Sequence, residues 1–187
     1  MKLVKSAELF AKKKHKGQFR KRCPNVKKVE YAQHLKDVVC ELKCMGIVDE
    51  DILCTGWLHD TIEDTDIDYD DIHEKFNKKI ADYVASVTKD TRLVKSKQEK
   101  SYISQLKKSP WQAKIVKLGD IIANFIDLEK SCYDFTTQKS KVKKKIPYIL
   151  AIRSGIRSNK NKIPNFERGQ NDLDELLKKY GQKAISF

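Results

Sequence analysis

The sequence predicts an all-α protein, on three observations. Apolar residues recur at helical spacing in segment after segment. No run alternates apolar and polar residues with a period of two. Gly and Pro are scarce, at 7 and 4 of 187 residues, which suits helices better than turn-rich sheets. A chain of this length is expected to form one domain, residues 1–187, with a sizeable core.

The elements follow in order. Leu3, Val4, Ala7, Phe10 and Ala11 form one face of a helix over 2–15, with lysines opposite, and Gly17 stops it. His15, Lys16, Gly17, Gln18, Phe19, Arg20, Lys21 and Arg22 then make a basic loop. On composition that loop is either simply solvated or a phosphate and base clamp. Pro24 and Asn25 mark a turn. A second helix over 29–45 carries Tyr31, Leu35, Val38, Val39 and Leu42 inward, and His34 lies on it. Asp49 is the expected N-cap of a third helix, with Glu50 and Asp51 in its first turn. Asp68 and Asp71 resemble a capping pair for a fourth over 69–89, with the stripe Ile72, Phe76, Ile80, Val84 and Val87. Residues 90–100 read as a lysine-rich loop and 98–107 as a helix. Ser109 as cap and Pro110 at the first position open a helix to 129. Residues 137–157 form another helix with Pro147 inside its pattern, so a kink or late start is expected. Asn171 is the expected cap of a last helix over 172–181, ended by Gly181.

Charge is uneven. The formal net charge is +13; residues 1–36 hold twelve Lys/Arg against two Glu, and residues 59–74 hold eight acids and no Lys or Arg. A basic frame around an acidic centre suits a polyanionic substrate approaching a cation. No run approaches the ~18 apolar residues of a membrane span, and the N-terminus lacks the roughly 7–15-residue apolar core of a signal peptide. Five cysteines without a CxxC pair read as reduced thiols of a cytoplasmic protein.

The richest stretch runs from Gly56 to Thr65. On a continuous helix His59, Asp60, Glu63 and Asp64 fall at about 0°, 100°, 40° and 140°, one face, with Leu53, Trp57, Leu58 and Ile62 largely on the other. A His-Asp pair offers a nitrogen and an oxygen to a divalent metal, and the following acids can handle a water beside it. A solvated acidic helix end accounts for the same residues. Asp120, flanked by Ile115, Val116, Leu118, Ile121 and Ile122, is expected to be buried and to need a cation, with Asn124 one turn on.

Together, His15-x-Gly17-Gln18-x-Arg20-Lys21, Tyr31-x-x-His34, Leu58-His59-Asp60-Thr61-x-Glu63-Asp64-Thr65, Val87-Thr88-Lys89 and Lys117-Leu118-x-Asp120-x-x-x-Asn124 resemble the hydrolase domain of the RelA/SpoT family. The resemblance is greatest to the small alarmone hydrolases made of that domain alone, animal homologues included. It implies an HD-domain helical bundle holding one Mn²⁺, or another divalent ion, through His34, His59, Asp60 and Asp120. It implies that Glu63 and Asp64 position and deprotonate the attacking water. Arg20 and Lys21 would hold the base and a nearby phosphate, and Asn124 would bond the base; His15 would be structural. The implied reaction is hydrolysis of the 3′-pyrophosphate of ppGpp or pppGpp to GDP or GTP and pyrophosphate. Lysines around 95–100 and 139–145, Lys97 among them, would steady the departing pyrophosphate, and Lys144 and Tyr148 are further nominated substrate contacts. The expected partner is a small nucleotide rather than a membrane or nucleic acid, and no synthetase domain is expected.

The sequence also departs from the family pattern. Leu35 follows His34 where Pro is usual, residues 22–30 replace a short Gly/Pro turn, and Gly119 stands for Ala. Ile121 stands where Arg or Lys follows the Asp. These leave open another nucleotide, such as an adenosine alarmone or the 2′-phosphate of NADPH. The charge leaves open a non-catalytic nucleotide or nucleic-acid binding module.

Overall fold

The computed structural model describes residues 2–21 and 27–187. Among them every regular element is helical, apart from an isolated antiparallel bridge between Phe19 and Glu30. The expected turn at Pro24 and Asn25, Arg22 of the basic loop and Cys23 fall outside the described residues.

α1 (Lys2–Lys14) ends where Gly17 takes φ +83°, a left-handed conformation that costs glycine nothing. α2 (Ala32–Cys44) starts three residues later than its periodicity suggests, because Glu30 is taken by the bridge to Phe19. α3 (Glu50–Leu58) is capped as expected: the Asp49 carboxylate accepts from Ile52 N at 3.1 Å.

The HD stretch departs from the expected continuous helix. The chain breaks at His59 and Asp60 and resumes as a single turn, α4 (Thr61–Asp64). At the break, His59 Nδ1 lies 2.9 Å from the Gly56 carbonyl oxygen. A side chain that takes a helical carbonyl competes with the backbone ladder.

The single helix expected over 69–89 is two. α5 (Tyr69–Lys75) has the capping box of Asp68 and Asp71, and α6 (Lys78–Val87) begins anew because Asn77 Oδ1 accepts from Ile80 N at 2.8 Å. α7 (Lys95–Lys108) takes in residues read as loop. Ser109 ends α7, its hydroxyl donating to Leu106 O at 2.7 Å, so it does not cap α8 (Trp111–Leu128), which Pro110 precedes without a side-chain cap. α9 (Phe135–Arg157) is one helix with Pro147 inside it, started by Asp134, whose carboxylate accepts from Thr137 N at 2.7 Å. After a 3₁₀ turn (Lys160–Lys162), α10 (Phe166–Lys179) starts six residues before the position expected, and Asn171 lies exposed within it.

α8 is the axis. Ile115, Val116, Leu118, Ile121 and Ile122 are all fully buried, the mark of a helix surrounded on every side. It packs on α2, α3, α6, α9 and α10, while α1 packs on α3 and α7 on α9. α2, α3 and α8 thus present their side chains to one point. Gly56 lets α3 approach α2 closely: a Cβ there would lie 2.8 Å from Leu42 Cδ1. Among the described residues no helix is long and apolar enough to cross a membrane. Cys40, Cys44 and Cys54 are free, whereas Cys132 is disulfide-bonded. That corrects the expectation of five reduced thiols; the fold sets a pairing that spacing along the chain does not show.

Candidate active site

Four side chains, from α2, α8 and the break after α3, converge. His34 Nε2 of α2 lies 3.2 Å from Asp120 Oδ1 of α8 and 3.6 Å from Asp60 Oδ2. His59 Nε2 lies 3.0 Å from Asp60 Oδ2 and 3.7 Å from Asp120 Oδ1. Both histidines and Asp120 are buried. The Gly56 carbonyl accepts from His59 Nδ1–H, which leaves Nε2 as the nitrogen facing the carboxylates. That Nε2 is buried and makes no hydrogen bond.

His34, His59 and Asp120 offer ligand atoms within 4.8 Å of one another, and with Asp60 Oδ2 beside both imidazoles the donor set fits a divalent metal. Nitrogen and oxygen ligands around one ion at roughly 2.1 Å stand about 3–4 Å apart, as these do. The electrostatics point the same way. Burial works to lower the His59 pKa, yet the Asp60 and Asp120 carboxylates raise it to about 10. Burial works to raise Asp60, and His59 overrides it, holding the carboxyl far below the usual range. Asp120 is likewise held low against burial, first by Lys117. The cluster therefore demands positive charge.

Lys117 answers part of that demand. Its Nζ, buried one turn before Asp120, donates to Asp120 Oδ2 at 2.7 Å. Asn124 Nδ2 donates to Asp120 Oδ1. Asp120 thus has one oxygen on the lysine and the other toward the histidines. The reasoning that singles out Asp120, a charge within an apolar helix, applies equally to Lys117, so the signal for it is present in the sequence. Ile121 lies fully buried in the hydrophobic cluster, and Lys117 supplies the cation beside Asp120.

The two acids after the break diverge. Glu63 Oε2 accepts from Lys89 N at 3.0 Å, and the Asp64 carbonyl accepts from Gln18 Nε2 at 2.7 Å. Burial raises both carboxyl pKa values; the Asp60 charge is the next cause at Asp64, whereas at Glu63 the Lys89 amide opposes burial. Tyr31 donates to Asp60 Oδ2 at 2.6 Å. Its ring stacks on His15, at 5.0 Å between centroids.

Beyond Tyr31 opens a cavity of about 830 Å³ lined by Arg20, Lys21, Asn124, Lys144 and Tyr148, with Lys89 and Lys145. That volume suits a nucleotide-sized ligand. At one end Arg20 is fixed by Asp127, through Nε at 3.0 Å and Nη2 at 2.8 Å, and donates to Asn124 Oδ1 at 3.0 Å. At the other, Lys89 Nζ donates to Tyr148 OH at 3.2 Å and Tyr148 OH donates to Glu99. Lys145, half-buried over the Tyr148 ring, has its pKa lowered by burial and then by Lys117. A desolvated cation of this kind gains most from an arriving anion. Lys97 is exposed on α7 and does not line the cavity; α7 begins two residues before it, so the residue rides on a helix surface instead of a loop free to fold inward. Lys144 lines the cavity from an exposed position. Sequence reasoning passes over Asp127, names Tyr31 and Lys89 in motifs without a role, and takes Lys145 only as part of the run 139–145, because their contacts join distant segments.

Buried imidazoles and carboxylates at the meeting of three helices, beside a cationic cavity, define the HD class of metal-dependent phosphohydrolase. Residues 7–157 match the HD domain family model. The chain is 28% identical over 173 residues to the Drosophila melanogaster protein named guanosine-3′,5′-bis(diphosphate) 3′-pyrophosphohydrolase MESH1, covering 92% of this chain and 91% of that one. It is 31% identical over 156 residues to the Xenopus tropicalis protein of the same name, covering 83% and 85%. Its fold matches a metazoan ortholog of SpoT, described as hydrolysing ppGpp, with a TM-score of 0.79, 25% identity and 97% of each chain covered. The chain therefore belongs to the HD-domain family and, within it, to the MESH1 group of RelA/SpoT-related proteins.

Proposed function

We propose that this chain hydrolyses the 3′-pyrophosphate of ppGpp and pppGpp, giving GDP or GTP and pyrophosphate, with Mn²⁺ as its metal. The observation that carries this is the contact of the His34, His59, Asp60 and Asp120 cluster, through Tyr31 and Asn124, with a cavity lined by an Arg20–Asn124 clamp and by lysines. The activity named for the MESH1 relatives supports it.

His34, His59, Asp60 and Asp120 would hold a divalent ion, whose Lewis acidity would make water nucleophilic at neutral pH and neutralise phosphate charge. Glu63, raised by burial, takes the water's proton, and Asp64 orients the water. Arg20, Lys21 and Asn124 bind the base and nearby phosphate, which fixes the 3′ side of the ribose toward the acids. Lys89, Lys145 and Tyr148 hold the departing pyrophosphate, with Lys144 at the mouth. Water forms the new P–O bond, the bond to the ribose 3′ oxygen breaks, and that oxygen takes a proton.

The test is a panel of ppGpp, pppGpp, ppApp and NADPH with Mn²⁺-loaded protein, separated by ion exchange, with EDTA and His59→Ala as controls. Conversion of ppGpp to GDP and pyrophosphate, lost in both controls, is the expected result. Release of single phosphate from NADPH alone would move the substrate and keep the site. A cytoplasmic location goes with these substrates.

A further inference from the structure

We infer that Tyr31 is a positioning residue that couples the nucleotide clamp to the metal-binding cluster; the inference rests on the proposed metal site. Tyr31 is one of two residues through which the halves of the site touch; the other is Asn124, which accepts from Arg20 and donates to Asp120. Its hydroxyl donates to Asp60 Oδ2 at 2.6 Å, the oxygen that lies 3.0 Å from His59 Nε2 and 3.6 Å from His34 Nε2. Its ring meets His34 edge-on at 5.7 Å, and the Arg20 guanidinium carbon lies 5.6 Å from the ring centroid on the cavity side. Its backbone is tied into the same segment, since Tyr31 N donates to Gln18 O at 3.0 Å. Arg20 is held in turn by Asn124 and Asp127 of α8, the helix that carries Asp120.

Packing alone does not account for this residue. A phenylalanine fills the same space and keeps the stacking on His15. The hydroxyl adds a hydrogen bond to the Asp60 oxygen that faces both imidazoles, and it also lowers the pKa of the neighbouring Asp64 carboxyl. Partners of ligating carboxylates fix their orientation, and their loss typically weakens metal binding about 10–100-fold. A ligand that settles Arg20 against the ring also settles the phenol on Asp60. By linkage, each ligand then tightens the other by the same factor.

The experiment is calorimetric titration of the full chain with Mn²⁺ alone, GDP alone, and each in the presence of the other. Tyr31→Phe is expected to bind Mn²⁺ about 10–100-fold more weakly, to bind GDP alone as the wild type does, and to show a smaller mutual enhancement. Tyr31→Leu, which also removes the face under Arg20, is expected to weaken GDP binding without metal. Thermal unfolding of both variants identifies a loss caused by misfolding, and Tyr31→Phe keeps the core volume intact for that reason. Equal Mn²⁺ affinity and equal enhancement in wild type and Tyr31→Phe would overturn the coupling. Failure of the wild type to bind Mn²⁺ would overturn the metal site and the coupling together. Binding of both ligands without ppGpp turnover would overturn only the proposed reaction.

Discussion

A charged group in a folded chain is informative according to how well its surroundings answer it. Asp64 and Glu41 illustrate the two outcomes. Asp64 is raised by burial and by Asp60, yet it sits where a water must be oriented. Asp64→Asn should cut turnover by roughly 10²–10⁴-fold, the usual contribution of a positioned acid or base, while metal content measured by atomic absorption stays at the wild-type level. Equal loss of metal would place Asp64 among the ligands. Glu41 of α2 has no such use. Burial and then Asp172 raise its pKa, with only partial relief from Arg168. A carboxylate raised in the fold costs stability once it ionises. The unfolded chain releases its proton first, near the ordinary value of ~4.3, so stability falls as pH rises through that value and on to the folded one. Glu41→Gln should therefore match the wild type in thermal stability at low pH and exceed it at pH 7. A wild type more stable at pH 7 would mean that Arg168 fully compensates the charge.

Whole helices are set by packing and by breaks, and these differ in how far a sequence displays them. The caps at Asp49 and the Asp68–Asp71 box are local chemistry, so α3 and α5 start where the residues say. The break at Asn77 is also local, but it hides inside an apolar stripe that runs on through Ile80. The early start of α10 depends on Gly169, whose missing Cβ makes room for Met45: a Cβ would lie 2.5 Å from its sulfur. Periodicity cannot display such a contact. The site behaves in the same way. The residue types at 59, 60 and 120 are suggestive on their own and His34 only through the family resemblance, whereas the contact of Tyr31 with Asp60 joins segments 29 residues apart. Two glycines give a test at this scale. Gly119 would place a Cβ 3.5 Å from Val38 O, ordinary contact distance. Gly119→Ala should thus gain about 0.5–1 kcal/mol from helix propensity and leave activity unchanged. Gly56→Ala meets Leu42 Cδ1 at 2.8 Å and Val39 Cγ2 at 3.0 Å. It should cost about 1–3 kcal/mol in denaturant unfolding as an overpacked core and impair Mn²⁺ binding, because the Gly56 carbonyl orients His59.

Over the whole molecule the +13 charge is neither spread evenly nor spent on the fold. α9 holds no acid from Phe135 to Arg157, and α7 packed beside it holds only Glu99, which is already engaged by Lys89 and Tyr148. Lys97, Lys100, Lys143 and Lys144 are exposed on these two helices, and Lys144 borders the cavity. Exposed lysines of this kind contribute little to stability, but their summed field reaches a polyphosphate before contact. Screening sets the range: the Debye length is about 8 Å at 0.15 M salt and about 30 Å at 0.01 M. Encounter should therefore weaken with added salt while the bound complex, held inside the cavity, changes little. For ppGpp the expected outcome is a kcat/KM that falls steadily as KCl rises while kcat holds. Lys97→Glu should lower kcat/KM at low salt, flatten the salt dependence and leave kcat alone, since this residue lies outside the cavity. Lys145→Glu, inside it, should lower kcat at every salt concentration. If Lys97→Glu reduced kcat as Lys145→Glu does, α7 would have to fold over the bound nucleotide, and the field would not be the reason these lysines matter.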